Sequence, residues 1–239
     1  MQKHKKKADA AFLNPYASGF NNAQTMNRKK IRNIMQRLQT IMPDPESELV
    51  YESPFELLVA VMLSAQATDV SVNKATQKLF PVARTPEAII ALGVEGLKPY
   101  LKTINLYPTK SRNLVKMSEI LLTQYEGSVP GTREALQSLP GVGRKTANVV
   151  LNAAFDQPVI AVDTHIFRVS NRTGMAPGKN VTEVEEKLIR IIPDAFLPDA
   201  HHWLLLHGRY TCTARSPKCS DCQISDLCEY PEKTAAQLF

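Results

Sequence analysis

The spacing of apolar residues along the chain predicts a protein built from helices. The first amphipathic stretch, residues 28–42, places apolar side chains three or four positions apart and ends before Pro43. Its apolar face consists of Ile31, Ile34, Met35, Leu38 and Ile41. Four later helices are predicted over residues 69–80, 85–92, 109–125 and 199–211. Further helices are predicted to begin at Ser53, Thr132, Arg144, Asp163 and Thr182.

Capping chemistry marks several of these starts. Ser53 precedes Pro54 and Glu56, and Thr85 precedes Pro86, so each combines a hydroxyl N-cap with proline at the first helical position. The pair Thr182 and Glu185 predicts a capping box. The best strand candidate, residues 158–162, has no neighbouring segment with which to pair. We therefore predict an all-α fold without internal repeats.

Composition and charge narrow the class of protein. No apolar run reaches the length of about 18 residues that spans a bilayer, and no apolar segment follows the lysine-rich start, so we expect neither membrane insertion nor secretion. The net charge of +6 favours a polyanionic partner. Residues 1–25 are basic and lack helical periodicity, which predicts a disordered tail. Its lysines fit either a solubilising segment or an arm that grips nucleic acid.

A glycine-containing turn, residues 139–147 (LPGVGRKTA), joins two predicted helices. The turn ends at a helix N-terminus, where free backbone N–H groups and the helix dipole favour an anion. Gly141 and Gly143 lack a Cβ, which permits positive φ and close approach by a phosphate. An ordinary packed helix corner is the alternative that the turn alone leaves open.

All four cysteines lie within one short segment near the end of the chain, which predicts a local metal-ligand set in a reducing compartment. They are Cys212, Cys219, Cys222 and Cys228. Their spacing fits a tetrahedral Zn²⁺ and a cubane iron–sulfur cluster equally well. Between the first two lie Arg215 and Lys218, which a metal centre would hold rigidly as phosphate contacts.

Lys145 and Asp163 are the candidate catalytic pair, each at the start of a predicted helix. A lysine nucleophile must be unprotonated, and only roughly one in 2500 is neutral at pH 7 with the reference pKa. Burial and the helix N-terminus both lower such a pKa, whereas an ionised Asp163 raises it, so Asp163 suits a base or a charge-stabilising role. Asp163 also suits a plain N-cap, and the two roles are compatible.

Gln66 falls at a helix end, where from sequence alone its amide suits a backbone cap. The four histidines at 165, 201, 202 and 207 have no spacing typical of metal ligands, so we interpret them as structural or supporting residues.

Together these segments resemble endonuclease III, the bacterial DNA glycosylase and abasic-site lyase of the helix-hairpin-helix superfamily. The resemblance runs from about residue 26 to residue 233. It rests on residues 63–69 (LSAQATD), residues 139–147, residues 162–165 (VDTH) and the four cysteines. It implies a six-helix barrel domain over 47–157 and a second domain, formed by 26–46 with 158–239, that carries a [4Fe–4S] cluster. DNA would lie across the cleft between the two helical domains.

The resemblance also implies roles for single residues. Lys145 corresponds to the Schiff-base nucleophile and Asp163 to the catalytic carboxylate. Gln66 corresponds to the residue that fills the gap left by the flipped nucleotide, and Leu106 to the wedge in the opposite strand. The DNA-contacting set that we predict is Gln66, Leu106, Gly141, Val142, Gly143, Arg144, Arg215 and Lys218.

The predicted function is therefore removal of oxidised pyrimidines from double-stranded DNA, with strand cutting at abasic sites by β-elimination. We expect a monomer in the bacterial cytoplasm, associated with the nucleoid. Two alternatives stay open at this point. One is a monofunctional adenine glycosylase, which resembles the chain but lacks the lysine; the other is a non-catalytic DNA-binding module that uses the turn and the metal loop only as grips.

Overall fold

The computed structural model describes residues 26–234; the predicted basic tail, residues 1–25, lies outside the described residues. All regular structure within residues 26–234 is helical, which confirms the predicted all-α class. A short 3₁₀ turn, Asp194–Phe196, precedes the last helix. The ten α-helices are α1 Arg28–Ile41, α2 Pro54–Leu63, α3 Asp69–Leu79, α4 Pro86–Leu101, α5 Tyr107–Tyr125, α6 Arg133–Gln137, α7 Arg144–Phe155, α8 Thr164–Thr173, α9 Val181–Ile191 and α10 Leu197–Tyr210.

Hydroxyl caps begin the helices where the sequence predicts them. Ser53 Oγ accepts the Glu56 amide at 3.1 Å, and Thr85 and Thr132 cap α4 and α6 in the same way. The helix predicted over residues 85–92 ends just before a bend at Gly93 (φ 62°). The chain then resumes its helical course, so α4 extends to Leu101. A prediction from periodicity stops at such a bend, since the apolar face changes direction there.

The predicted start of α9 was wrong. Asn180, and not Thr182, is the N-cap, and its side chain accepts the Glu183 amide at 3.0 Å. A carboxylate oxygen of Glu183 accepts the Lys179 amide at 2.9 Å. The capping pair is therefore Asn180 and Glu183, two residues earlier than the predicted pair. Glu185 takes no part in the cap and turns into the interior.

Two separate clusters of buried apolar side chains support the fold. The first uses residues 49–151 and centres on α2, whose apolar residues are almost completely buried. The second combines residues 26–38 with residues 160–224, so that α1 packs with the C-terminal helices. Trp203 in α10 is fully buried there and donates its indole N–H to the Met42 carbonyl at 2.8 Å. The chain therefore forms two helical units, each with its own core.

Residues 158–162, the strand candidate, connect the two cores without strand pairing. Asn148 and Asn152 in α7 take the place of a partner strand. The Asn148 amide donates to the Ile160 carbonyl at 3.2 Å, and the Asn152 amide donates to the Val159 carbonyl at 3.3 Å. Buried backbone carbonyls need such donors, so these two asparagines allow the chain to cross between units without a sheet. Within residues 26–234, no helix has the length and apolarity needed to cross a membrane.

Candidate active site and iron–sulfur centre

The turn between α6 and α7 uses its two glycines differently. Gly141 has φ 81°, and a Cβ there would lie 2.9 Å from the Asn113 amide nitrogen and 3.1 Å from the Met62 sulfur. Gly143 has an ordinary φ of −89° as the N-cap of α7, and no atom lies within 4 Å of the position that a Cβ would occupy there. The turn therefore packs tightly against α5 and α2 at Gly141 and has open space at Gly143.

Val142, between the two glycines, is buried and donates its amide to the Leu139 carbonyl at 3.1 Å. The first amides of α7 lack intrahelical partners, as at any helix start. An anion that approaches this turn would meet the N-terminal end of α7 on the open side of Gly143.

This difference predicts opposite effects for two matched substitutions. Gly141→Ala strains a left-handed backbone and crowds Asn113, so it should lower the free energy of unfolding by roughly 1–3 kcal/mol. Gly143→Ala should leave thermal stability nearly unchanged but weaken binding to a DNA duplex, because the methyl occupies the open face. Melting temperature and fluorescence-anisotropy titration of both variants measure the two effects. Equal loss of stability in both would contradict the assignment of the open face.

Lys145 and Asp163 line one cleft at the junction of the two units. Lys145 is the second residue of α7 and is exposed. Asp163 is the half-buried N-cap of α8, and its Oδ1 accepts the amides of His165 and Ile166, both at 2.9 Å. The capping bonds fix the carboxylate of Asp163 at the cleft wall. The structure thus brings together two side chains that are 18 positions apart in the sequence.

Four further charged side chains line the same cleft, and sequence reasoning missed them: Glu46, Glu48, Asp69 and Arg209. The Arg209 guanidinium donates to Asp69 Oδ2 at 2.7 Å and also pairs with Glu48. Burial raises the pKa of Asp69; the positive charge of Lys145 opposes this shift, and the negative charge of Asp163 adds to it. Asp69 lies in the LSAQATD segment, but Glu48 and Arg209 have no local pattern that marks them as site residues.

His201 and His202 in α10 also line the cleft. His201 is almost completely buried, and its Nδ1 finds no hydrogen-bond partner among residues 26–234. Burial, with smaller contributions from His202 and Lys145, lowers the pKa of His201 to about 3. His201 is therefore neutral in the folded protein throughout the neutral and mildly acidic pH range.

The lowered pKa of His201 predicts that acid destabilises the fold. The unfolded chain takes up the proton below about pH 6.5, whereas the folded chain resists it down to about pH 3, so stability is complete above pH 6.5 and falls below it. Between pH 7 and pH 5 the loss is about 2 kcal/mol. The melting temperature of the wild type should fall over this interval more steeply than that of His201→Gln. Parallel curves for the two proteins would show that His201 does not cause the effect.

Gln66 and Leu106 occupy neighbouring turns. Both residues have φ 57°, a left-handed backbone conformation that is uncommon outside glycine, and both side chains are exposed. The Gln66 Oε1 accepts the Asn105 amide at 3.5 Å, which joins the two turns. The Gln66 amide, expected to cap backbone groups, bonds to the Asn105 side chain, and Thr68 is the cap of α3. Leu106 directly precedes α5 and provides no side-chain cap.

The half-buried Arg144 side chain pairs with a buried carboxylate. Its guanidinium donates two hydrogen bonds to the buried carboxylate of Glu185 in α9, both at 2.9 Å. Arg133 approaches the same carboxylate at 3.4 Å. The three residues form an ion-pair bridge between the two units. The backbone amide of Arg144 lies at the start of α7, which a phosphate can approach while the side chain holds Glu185.

The four cysteines surround one cavity beside α8 and α10. Burial raises the pKa of the Cys222 and Cys228 thiols, and the negative charges of Cys212 and Cys219 add to both shifts. Thiolates packed this closely need a cationic centre. Among residues 26–234, no three His, Cys, Asp or Glu side chains are grouped as ligands of a single metal ion. Four cysteines around one cavity match the ligand number of a cubane iron–sulfur cluster, in which each thiolate binds a different iron.

Arginines from α8 hold the loop that follows Cys212. Arg168 donates to the Cys212 carbonyl at 2.9 Å. Arg172 donates to the carbonyls of Thr213 and Ala214 at 2.6 and 2.8 Å. The side chains of the predicted phosphate contacts, Arg215 and Lys218, are exposed on this loop.

Comparison with known proteins agrees with this architecture. HhH-GPD superfamily base excision DNA repair proteins match residues 59–194, and the iron–sulfur binding domain of endonuclease III matches residues 212–228. Endonuclease III of Escherichia coli K12 is 64% identical over 208 residues, which cover 87% of this chain and 99% of that protein. Endonuclease III of Haemophilus influenzae is 61% identical over the same length, with the same shares covered.

Solved structures give the same result. A trapped endonuclease III–DNA covalent intermediate has 46% identity and a TM-score of 0.80, with 86% of this chain and 97% of that chain covered. A thermostable thymine-DNA glycosylase has 26% identity and a TM-score of 0.78, with 86% and 98% covered. The chain therefore belongs to the endonuclease III family and is a DNA glycosylase and abasic-site lyase of base excision repair, with a [4Fe–4S] cluster.

Proposed function

We propose that Lys145 is the nucleophile of both reactions. Its neutral amine attacks C1′ of the damaged nucleotide, the bond from C1′ to the base breaks, and the base leaves with the bonding electron pair and takes up a proton. The sugar ring then opens to an imine between Lys145 and C1′. Loss of a C2′ proton and of the 3′ phosphate cuts the strand by β-elimination. The position of Lys145 beside Asp163 in one cleft is the observation that carries this proposal.

Asp163 stabilises the positive charge that develops on the sugar as the base departs, and it receives protons during imine formation. Its two capping bonds leave one carboxylate oxygen, Oδ2, for this work. Asp69 and Arg209 lie at the same cleft, so the Lys145 amine has a second carboxylate nearby. The site thus pairs one nucleophile with carboxylates held by neighbouring helices.

The DNA partner is a duplex that contains an oxidised pyrimidine or an abasic site. Extrusion of a nucleotide costs a few kcal/mol, and less for a damaged base that stacks badly. Gln66 would fill the vacated space and Leu106 would enter the opposite strand, in keeping with their exposed positions on adjacent turns. Two of the similar solved structures are endonuclease III–DNA complexes, which supports a duplex in the same cleft.

The remaining DNA contacts would come from backbone amides and exposed cations. The turn of Gly141, Val142 and Gly143 with the start of α7 would bind one phosphate, and Arg215 and Lys218 would bind another. We assign the cluster to Cys212, Cys219, Cys222 and Cys228. When bound, it provides a rigid cross-link for this loop.

We propose that the domains divide as residues 47–157 and residues 26–46 with 158–239, which the two separate cores support. We further propose that the protein acts as a monomer, associated with the bacterial nucleoid. A monomer suffices for the proposed chemistry, because one chain contributes every group in the cleft.

Borohydride trapping tests the proposed imine between Lys145 and C1′. Reduction of the imine converts it to a stable amine, so the wild-type protein should become covalently attached to a duplex that carries an abasic site. A panel of duplexes with different oxidised pyrimidines, in the same assay, measures the substrate preference. Base release without any trapped complex would indicate a monofunctional glycosylase, and binding without base release would indicate a DNA-binding module.

A further inference from the structure

Lys110 is a lysine in an unusual place. It lies in the first turns of α5, and only 6% of its surface is exposed. Its ammonium group donates to the carbonyls of Leu63 and Ala65 at 2.7 and 2.6 Å. Burial lowers the pKa of Lys110, and no carboxylate within residues 26–234 is paired with it. Lysines are rarely buried without a charged partner, so this position requires a reason.

The two carbonyls that bind Lys110 belong to the end of α2 and the turn after it. Unpaired carbonyls at a helix C-terminus carry partial negative charge, which stabilises a cation there. The next residue after Ala65 is Gln66, whose left-handed backbone (φ 57°) costs free energy unless its surroundings hold it. The Lys110 ammonium therefore fixes the turn that presents Gln66.

The same residue also closes the turn that presents Leu106. The Lys110 backbone amide donates to the Leu106 carbonyl at 3.0 Å, which makes the first α-helical hydrogen bond of α5. Leu106 too is left-handed, and its side chain is 54% exposed. One residue thus bonds to both turns: its side chain to the Gln66 turn and its backbone to the Leu106 turn. The Asn105–Gln66 hydrogen bond joins the same two turns through their side chains.

We propose that Lys110 is a positioning residue that holds Gln66 and Leu106 at a fixed separation, so that both enter a DNA duplex together. The inference rests on the proposed roles of Gln66 and Leu106 in the duplex. It assigns Lys110 no contact with the reacting atoms. Its effect should therefore depend on whether the substrate must be opened, and not on the chemistry at C1′.

The test uses Lys110→Met, which keeps the side-chain stem and removes every donor. Two substrates carry the same abasic site. In one, the bases around the site are paired with the opposite strand; in the other, the site lies within a bubble of unpaired bases. At saturating protein, the single-turnover rate of strand cutting on the paired duplex should fall roughly tenfold, as for a misplaced binding group. The rate on the bubble should stay at the wild-type value, because no stacked strand has to be entered.

Ser118→Ala is the matched control on the same helix. Its hydroxyl is fully buried without a hydrogen-bond partner among the described residues, and it lies away from both turns. This variant should cut both substrates at the wild-type rate. If Lys110→Met does not fold, Lys110→Gln, which keeps one amide donor, takes its place and should show a smaller fall on the paired duplex.

The double variant Gln66→Ala/Leu106→Ala separates the two levels of the argument. It should lose rate on the paired duplex, and Lys110→Met added to it should cause no further loss, since Lys110 acts only through those residues. A double variant with wild-type rates would overturn the roles of Gln66 and Leu106 themselves. Two results would overturn the inference for Lys110 alone. One is a defective double variant together with wild-type rates for Lys110→Met; the other is an equal fall in the Lys110→Met rate on both substrates.

Discussion

Lys145→Ala will abolish borohydride trapping on abasic DNA and will reduce strand cutting by at least roughly 10³-fold. The reason is chemical: alanine has no amine, so no imine forms at C1′ and no linkage remains for borohydride to reduce. Lys145 is exposed at the start of α7, and its removal leaves the core unchanged. The melting temperature and binding to a duplex with an uncleavable abasic-site analogue should therefore stay close to those of the wild type.

Lys116→Ala is the matched control, because Lys116 is an exposed lysine on α5 that does not line the cleft. It should trap and cut DNA at wild-type levels. Undiminished trapping by Lys145→Ala would move the nucleophile to another amine. Failure of the wild type itself to trap would overturn the proposed imine intermediate.

Local chemistry is what the sequence predicts well in this protein. Helix starts at Ser53, Thr85 and Thr132 follow from a hydroxyl that accepts the amide three residues later, which depends on neighbours in the chain alone. The all-α class follows from the spacing of apolar residues three or four positions apart. The alternative of zinc at the cysteines could not be excluded by spacing, because spacing does not give the distances between sulfurs.

What the sequence did not predict depends on partners far away in the chain. Glu185 has the spacing of a capping residue of α9, but the arginines 41 and 52 positions before it draw its carboxylate into the bridge between the two units. Arg209 approaches Asp69 across 140 positions, and Lys110 reaches Leu63 across 47. A buried charge costs free energy unless it is paired, so each such residue can be interpreted only once its partner is located.

The two glycines of the turn show the same limit. Both suit a left-handed backbone in the sequence, but only Gly141 adopts one, and there a Cβ would also collide with Asn113 and Met62. At Gly143, the absence of a Cβ matters only on the side that a ligand can reach. The residue type was predictable from the motif, whereas the reason for Gly141 came from its contacts with α2 and α5.

Asp163→Asn will separate the structural role of Asp163 from its catalytic role. Asparagine is as good an N-cap as aspartate, so the amides of His165 and Ile166 keep an acceptor and the free energy of unfolding should change little. The amide carries no charge and accepts no proton. Base release from a damaged duplex should fall by roughly 10²–10⁴-fold, the range for loss of a general acid or base.

Asp163→Ala provides the contrast, because it removes both functions. Its base-release rate should match that of Asp163→Asn, and its stability should fall further by about 1 kcal/mol for the lost cap. Thermal unfolding and single-turnover base release, measured on both variants, give the two quantities independently. If Asp163→Asn released bases at the wild-type rate, Asp163 would be a cap only, and Asp69 would be the carboxylate left beside Lys145 to stabilise the developing charge.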